Sequence, residues 1–289
     1  MFACLTLSQA QGRAWRKPAA PQLVRVEVPN GAPFFLLQAQ SRKGQLDFNA
    51  IEQAAGRLRT KMLFPQGMEL PPVPQASSAA KAQLEPGLRA FAPRRLPLLL
   101  CLRFAQQVLR ASRIPARSRS VTIVDQKGML CRSLEPFVQL AGSLRVFTPE
   151  PAAYRATAEQ LLRRYGITLI VSSSPACFVQ SDVVVADDLK LFTGRERGII
   201  FTPNPLERSL PGLRVVQCEQ PTLPVPYGSL CPPGIDLMLF ASALYELCGV
   251  KEMERLSFGR YGFAGTSEAL PLEKISALLD ESSCAVRVN

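Results

Sequence analysis

Polar residues stand at the carboxyl ends of a series of short, apolar, β-branched runs. Asp125, Lys127 and Gly128 follow SVTIV, Thr148 follows LRVF, Ser172 follows ITLIV, Asp187 follows DVVVA and Thr202 follows GIIF. An open parallel sheet binds its ligand outside the carboxyl ends of its strands, near the point where the strand order reverses. These seven residues are therefore the candidate cofactor- or ligand-binding set, with Glu150, Ser173, Ser174, Asp188 and Asn204 beside them. Their chemistry suits a small anionic ligand. Gly128 and a helix expected over about 131–141 offer backbone N–H groups of the kind that hold phosphate, and Lys127 adds a positive charge. The turn itself reads Asp125-Gln126-Lys127-Gly128-Met129-Leu130, with one glycine where a dinucleotide turn carries G-x-G-x-x-G. One glycine permits the turn but not the close backbone approach that a pyrophosphate needs. At the second strand end, the acid that would hold a ribose is replaced by Thr148-Pro149-Glu150, and Glu150 fits the first turn of the next helix, where it complements the dipole.

Other chemistries are excluded by what is missing. The chain has no histidine, so there is no imidazole base and no Ser-His or Cys-His nucleophile pair. Its eight cysteines include no C-x-x-C and mostly sit inside apolar segments, so neither a metal site nor a disulfide framework is expected.

The elements that position the candidate set read as follows. Strands alternate with helical stretches from Ser120 to Asp188, and further strands over 198–202 and 213–218 bring the total to six, a complete doubly wound parallel sheet. Within it, Tyr154, Ala158, Leu161, Leu162 and Tyr165 share one face of a helix over 152–165 that Gly166 stops. Leu96–Leu109 is an apolar helix leading into the first strand. Upstream, residues 1–20 read as irregular. Leu23–Val28 and Phe34–Gln38 flank a turn-like PNGAP and form a hairpin whose prolines suit a sheet edge. Asp47 caps a helix carrying Ile51, Ala54, Ala55, Leu58 and Met62 at 3.6-residue spacing, ended by Pro65 and Gly67. Seven prolines between Pro65 and Pro97 mark a linker or a surface-wrapped loop. Gly234–Cys248 is apolar nearly all round and so buried, and Pro271–Leu279 is a last amphipathic helix. The fold class is α/β, a Rossmann-like doubly wound parallel sheet with a smaller α+β N-terminal domain. The expected division is 1–64 for that domain, 65–97 for the linker, 98–250 for the Rossmann-like domain and 251–289 for a C-terminal helical segment.

The net charge of +11 is carried by one half: residues 1–119 hold 18 Lys or Arg against 5 Asp or Glu, and residues 120–289 hold 16 against 18. Clusters at Arg13, Arg16 and Lys17, at Arg94 and Arg95, and at Arg110, Arg113, Arg117 and Arg119 could meet nucleic acid or an acidic protein partner. No nucleic-acid-reading motif accompanies them, so solvated surface is the plainer reading. The last cluster enters at the amino end of the first strand, away from the crevice. No run of eighteen uncharged apolar residues occurs, and Phe2–Leu7 has no basic residue before it, so a soluble, cytoplasmic protein without membrane contact is expected.

The stretches VFTPEPAAYRATAEQL, SDVVVADD and above all PPGIDLMLFASALYELCG resemble the shikimate dehydrogenase group of NADP-dependent enzymes, over about residues 96–250. That resemblance implies a helix leading into a Rossmann domain, Thr148 beside an adenosine phosphate, and Gly234, Met238 and Leu239 opening a helix that returns to the N-terminal domain. The chain departs from the group at Asp125–Leu130, where the cofactor glycines are missing, and at Phe147, which stands where a phosphate-binding arginine would be. It also lacks an N-terminal motif supplying the catalytic Lys and Asp. IVDQKGML is similar to the nucleophile motif of haloacid-dehalogenase-like phosphatases, which implies Asp125 as nucleophile and Asp187 or Asp188 as metal carboxylates, with Lys127 in place of the acid/base aspartate.

Weighed together, the residues point to a degenerate dinucleotide site without cofactor, in a non-redox ligand-binding or scaffold module. The alternatives are an NADP-dependent, shikimate dehydrogenase-like oxidoreductase and a protein that binds nucleic acid or an acidic partner through its basic N-terminal half.

Overall fold

The computed structural model describes residues 1–9, 20–41, 46–58, 61–68, 89–174, 181–186, 189–192, 198–203, 214–263 and 271–287. The chain forms two compact units, one of residues 1–96 with 223–256 and the other of residues 97–222 with 257–289. The strands are β1 (Phe2–Gln9), β2 (Gln22–Val26), β3 (Phe34–Ser41), β4 (Lys61–Leu63), β5 (Ser120–Val124), β6 (Ser143–Phe147), β7 (Leu169–Ser172), β8 (Val183–Ala186), β9 (Ile199–Thr202), β10 (Arg214–Pro221) and β11 (Phe258–Phe263). The α-helices are α1 (Phe48–Leu58), α2 (Leu96–Ala111), α3 (Arg155–Tyr165), the single turn α4 (Tyr227–Leu230), α5 (Leu237–Cys248) and α6 (Leu272–Arg287).

The first unit is built on a four-stranded sheet in the order β2-β3-β1-β4, with β1 parallel to β3 and β4, and β2 antiparallel to β3. Residues 1–20, expected to be irregular, thus begin with an interior strand. The run Phe2-Ala3-Cys4-Leu5 shows no alternation because both of its faces are buried, as in a parallel strand covered on two sides. On one face Leu5, Leu37 and Ala39 pack with Ile51 and Ala55 of α1 and with Met62. On the other, Phe2 and Phe34 stack at 4.9 Å and both meet Phe240 of α5 edge-on. Asp47 caps α1 by accepting the N–H of Ala50 at 3.0 Å. The helix ends at Leu58, however, and Met62 lies in β4, where its N–H and C=O are taken by Arg89 and Phe91. Of the proline-rich segment, residues 69–88 lie outside the described residues. After it, the Glu246 carboxylate accepts the N–H groups of Arg94, Arg95 and Leu96 at 2.9, 2.8 and 3.4 Å, supplying the start of α2 with a cap from a distant helix. Asp236 caps α5 through the N–H of Leu239 at 2.8 Å. Residues 223–250, grouped with the Rossmann-like domain in the sequence reading, cluster with this first unit.

The second unit holds a seven-stranded sheet in the order β11-β10-β9-β8-β5-β6-β7. The six strands from β5 to β10 are parallel and lie in the Rossmann order, reversing between β5 and β8. The antiparallel edge strand β11 falls in a segment expected to be helical; its FGRYGF carries two glycines that obscure any alternation. Val124, Phe147, Val184, Ala186, Ile200 and Val215 form one face of the core with Phe192, while Phe104 of α2 packs edge-on against Phe201 at 5.6 Å. The helix expected over 131–141 is replaced by two 3-10 turns, Cys131–Ser133 and Glu135–Gln139. Pro136 has no N–H with which to continue a helical ladder from the first turn into the second. Helix α3 ends as expected at Gly166 in the left-handed conformation, and α6 continues past Leu279 to Arg287.

Candidate functional site

Asp125 follows β5 at the reversal point and is only 2% exposed. Its Oδ1 accepts the N–H of Lys127 at 3.2 Å, its Oδ2 accepts that of Leu130 at 2.8 Å, and the Tyr154 hydroxyl donates to Oδ2 as well. The Gly128 N–H turns onto the Asp125 carbonyl at 3.4 Å. Three N–H groups of the first strand-to-helix turn are thus directed onto Asp125 itself. Burial, reinforced by the hydrogen bond to Asp125, pushes the Tyr154 pKa well above that of an ordinary phenol, so the hydroxyl stays protonated as donor.

The next strand connection closes over this turn. Gly128 has φ +63°, and a Cβ there would sit 2.9 Å from the Cβ of Ala153, so the 3-10 turn Pro151–Tyr154 rests directly on it. Cys131 Sγ lies 3.1 Å from the Gly128 carbonyl oxygen and 3.3 Å from that of Ala153, joining the two turns, and the Leu130 side chain is buried beneath them.

The remaining candidates are spent on local structure. Lys127 contributes its backbone to the Asp125 turn while its side chain is exposed. Thr148 is fully buried; its N–H donates to the Ser172 carbonyl at 3.0 Å and its Oγ1 accepts the Glu150 N–H at 3.1 Å. The Ser172 hydroxyl accepts the Ser174 N–H at 3.0 Å. Thr202 is buried at the end of β9. Asp187, with Asp188 and Asn204, lies outside the described residues. The structure therefore brings Asp125, the backbone of Lys127, and Gly128 into one hydrogen-bonded knot, and ties Thr148 to Ser172 across neighbouring strand ends. Sequence reasoning missed the parts that Tyr154 and Cys131 play. Its spacing puts Tyr154 on a helical face, and only the prolines at 149 and 151, which delay the helix until Arg155, hint that it belongs to a turn. Among the described residues no group of three or more Cys, Asp or Glu could hold a metal ion, and no helix is long and apolar enough to cross a membrane.

The strand order and the crevice at its reversal define a Rossmann-like α/β protein with a second, mixed-sheet unit. The sequence matches no family model and no curated protein. Among solved structures it is similar to Thermococcus litoralis Δ1-pyrroline-2-carboxylate reductase in complex with NADH and L-proline, at 14% identity and a TM-score of 0.29, over 37% of this chain and 36% of that one. The chain thus spans about a third of that reductase's length. Of what the resemblance to the shikimate dehydrogenase group implies, the strand order supports the Rossmann-like architecture alone.

Proposed function

We propose that the Rossmann-like unit is a non-redox ligand-binding or scaffold module whose dinucleotide site has been closed from within. The observation that carries this reading is the Asp125 carboxylate. A Rossmann turn holds pyrophosphate on backbone N–H groups at the first strand end, and here those of Lys127 and Leu130 are already bonded to a buried anion of the chain's own. A phosphate brought to that point would meet a carboxylate in place of free donors, and Ala153 rests where it would approach the glycine. The residues present do not fit a dinucleotide phosphate. The same bonds argue against Asp125 as a nucleophile, because both of its oxygens are engaged.

Isothermal titration of the purified protein with NAD(H) and NADP(H) tests the reading. No binding tighter than about 100 μM, which corresponds to roughly 5.5 kcal/mol, is expected. Saturable binding below that concentration, accompanied by a substrate-dependent change in nicotinamide absorbance, would establish a dehydrogenase instead. A second reading, contact with nucleic acid or an acidic protein, draws support from Arg110, Arg113 and Arg117, which are exposed at the amino end of β5 and make no ion pair among the described residues. It predicts binding whose logarithm falls linearly with the logarithm of salt concentration.

A further inference from the structure

Strand β7 ends the seven-stranded sheet, and among the described residues no strand pairs with its outer edge. Sheet edges are ordinarily guarded by charges or prolines. The edge strand β2 of the first unit carries Arg25, with Pro21 immediately before it. Strand β7 reads Leu169-Ile170-Val171-Ser172 and has neither. Its pairing with β6 sets Leu169 beside Leu144 and Ile170 beside Arg145, so Leu169 turns into the core while Ile170 faces the opposite side and is 45% exposed. Helix α3, which leads into β7, exposes Leu162 at 54%. An unguarded edge is thus accompanied by two exposed large apolar side chains.

We propose that this edge is a self-association surface, on which β7 pairs with β7 of a second copy of the chain. Two copies of one edge related by a two-fold axis pair antiparallel, which extends the sheet without a break. The same axis sets the two α3 helices antiparallel to each other. Helix α3 carries Glu159 and Arg163 one turn apart, both exposed and paired with each other at 3.6 Å. Turned antiparallel, this pair is complementary to itself, with Glu159 of each copy facing Arg163 of the other and Leu162 covered between them. A patch that matches its own image in charge is fitted to a second copy rather than to a foreign partner.

Sedimentation equilibrium of the full chain between about 1 and 100 μM tests the proposal. The expected result is a monomer–dimer equilibrium that Ile170→Lys weakens by about tenfold or more, with the thermal midpoint of the monomer unchanged. Glu159→Arg alone weakens the dimer in the same way, and Glu159→Arg with Arg163→Glu restores it, a recovery that general loss of folding does not produce. A chain that stays monomeric throughout this range overturns the proposal. So does a dimer indifferent to Ile170→Lys but weakened by Leu23→Lys, which would place the contact on β2.

Discussion

A carboxylate buried to 2% exposure and surrounded by N–H and O–H donors is a structural anion. Removing it takes their acceptor from the Lys127 N–H and the Tyr154 hydroxyl and leaves the Leu130 N–H only the Tyr154 oxygen beside it, and each buried polar group left unpaired costs about 1–3 kcal/mol. Asp125→Ala is therefore expected to lower the unfolding free energy by about 2 kcal/mol, after allowance for relief of a buried charge, as read from urea denaturation. Asp125→Asn keeps an acceptor and should cost less. At this scale the sequence was half legible. The place of Asp125, after a strand and before a single glycine at the reversal of the sheet, was legible. The part played by Tyr154 was not, because its contact bridges 29 positions and depends on the turn at Pro151.

Between elements, Arg119 shows how a basic cluster can mislead. It reads as the last member of a surface patch, yet it is buried, and its guanidinium donates to the carbonyls of Leu109, Ser112, Ile114 and Leu140. Two of these carbonyls belong to the last turn of α2 and its exit, where carbonyl oxygens lack N–H donors along the helix. Desolvation lowers the Arg119 pKa, opposed by the nearby Asp280 and Asp182 carboxylates. Arg119→Met should destabilise the second unit by about 3 kcal/mol, the usual cost of stripping a buried charged donor from its acceptors, and the shift in urea midpoint checks it. Hydrophobic patterning found α1, α2, α3 and α5, and the regular alternation of short apolar runs with helical stretches found the six parallel strands, although β8 and β9 are buried along their whole length. Patterning misread β1, which is buried on both faces and has no pattern to show, and it extended a helix through 131–141, where Leu130, Leu134, Phe137 and Leu140 are spaced as in a helix but Pro136 interrupts the ladder.

For the molecule as a whole, burial pushes several of the described thiols and phenols upward. In the first unit, burial raises Cys231 and Cys248 to about 11, with Asp236 adding to the effect at Cys231, and burial followed by the hydrogen bond to Glu254 raises Tyr245 to about 12. Cys4 moves in the same direction, by burial first and then by the neighbouring thiols. A group whose folded pKa exceeds its ordinary value holds its proton more tightly when folded. Its contribution to stability is complete below the ordinary value, near 9 for a thiol and 10 for tyrosine, and is lost as pH rises through the folded value. Urea midpoints should therefore be level with respect to these groups up to about pH 9 and fall from there towards pH 11, and Cys248→Ala should make the fall shallower.

The first unit is also discontinuous: residues 97–222 lie between its strands and the helix whose Phe240 covers Phe2 and Phe34. During synthesis those two rings leave the ribosome with β1 and β3, but their cover follows only when α5 has been made. At roughly 5–20 residues per second, the interval is on the order of ten seconds. For that time these two rings lack the cover that Phe240 gives them in the folded unit, so the first unit completes its core only after the chain of the second has been made.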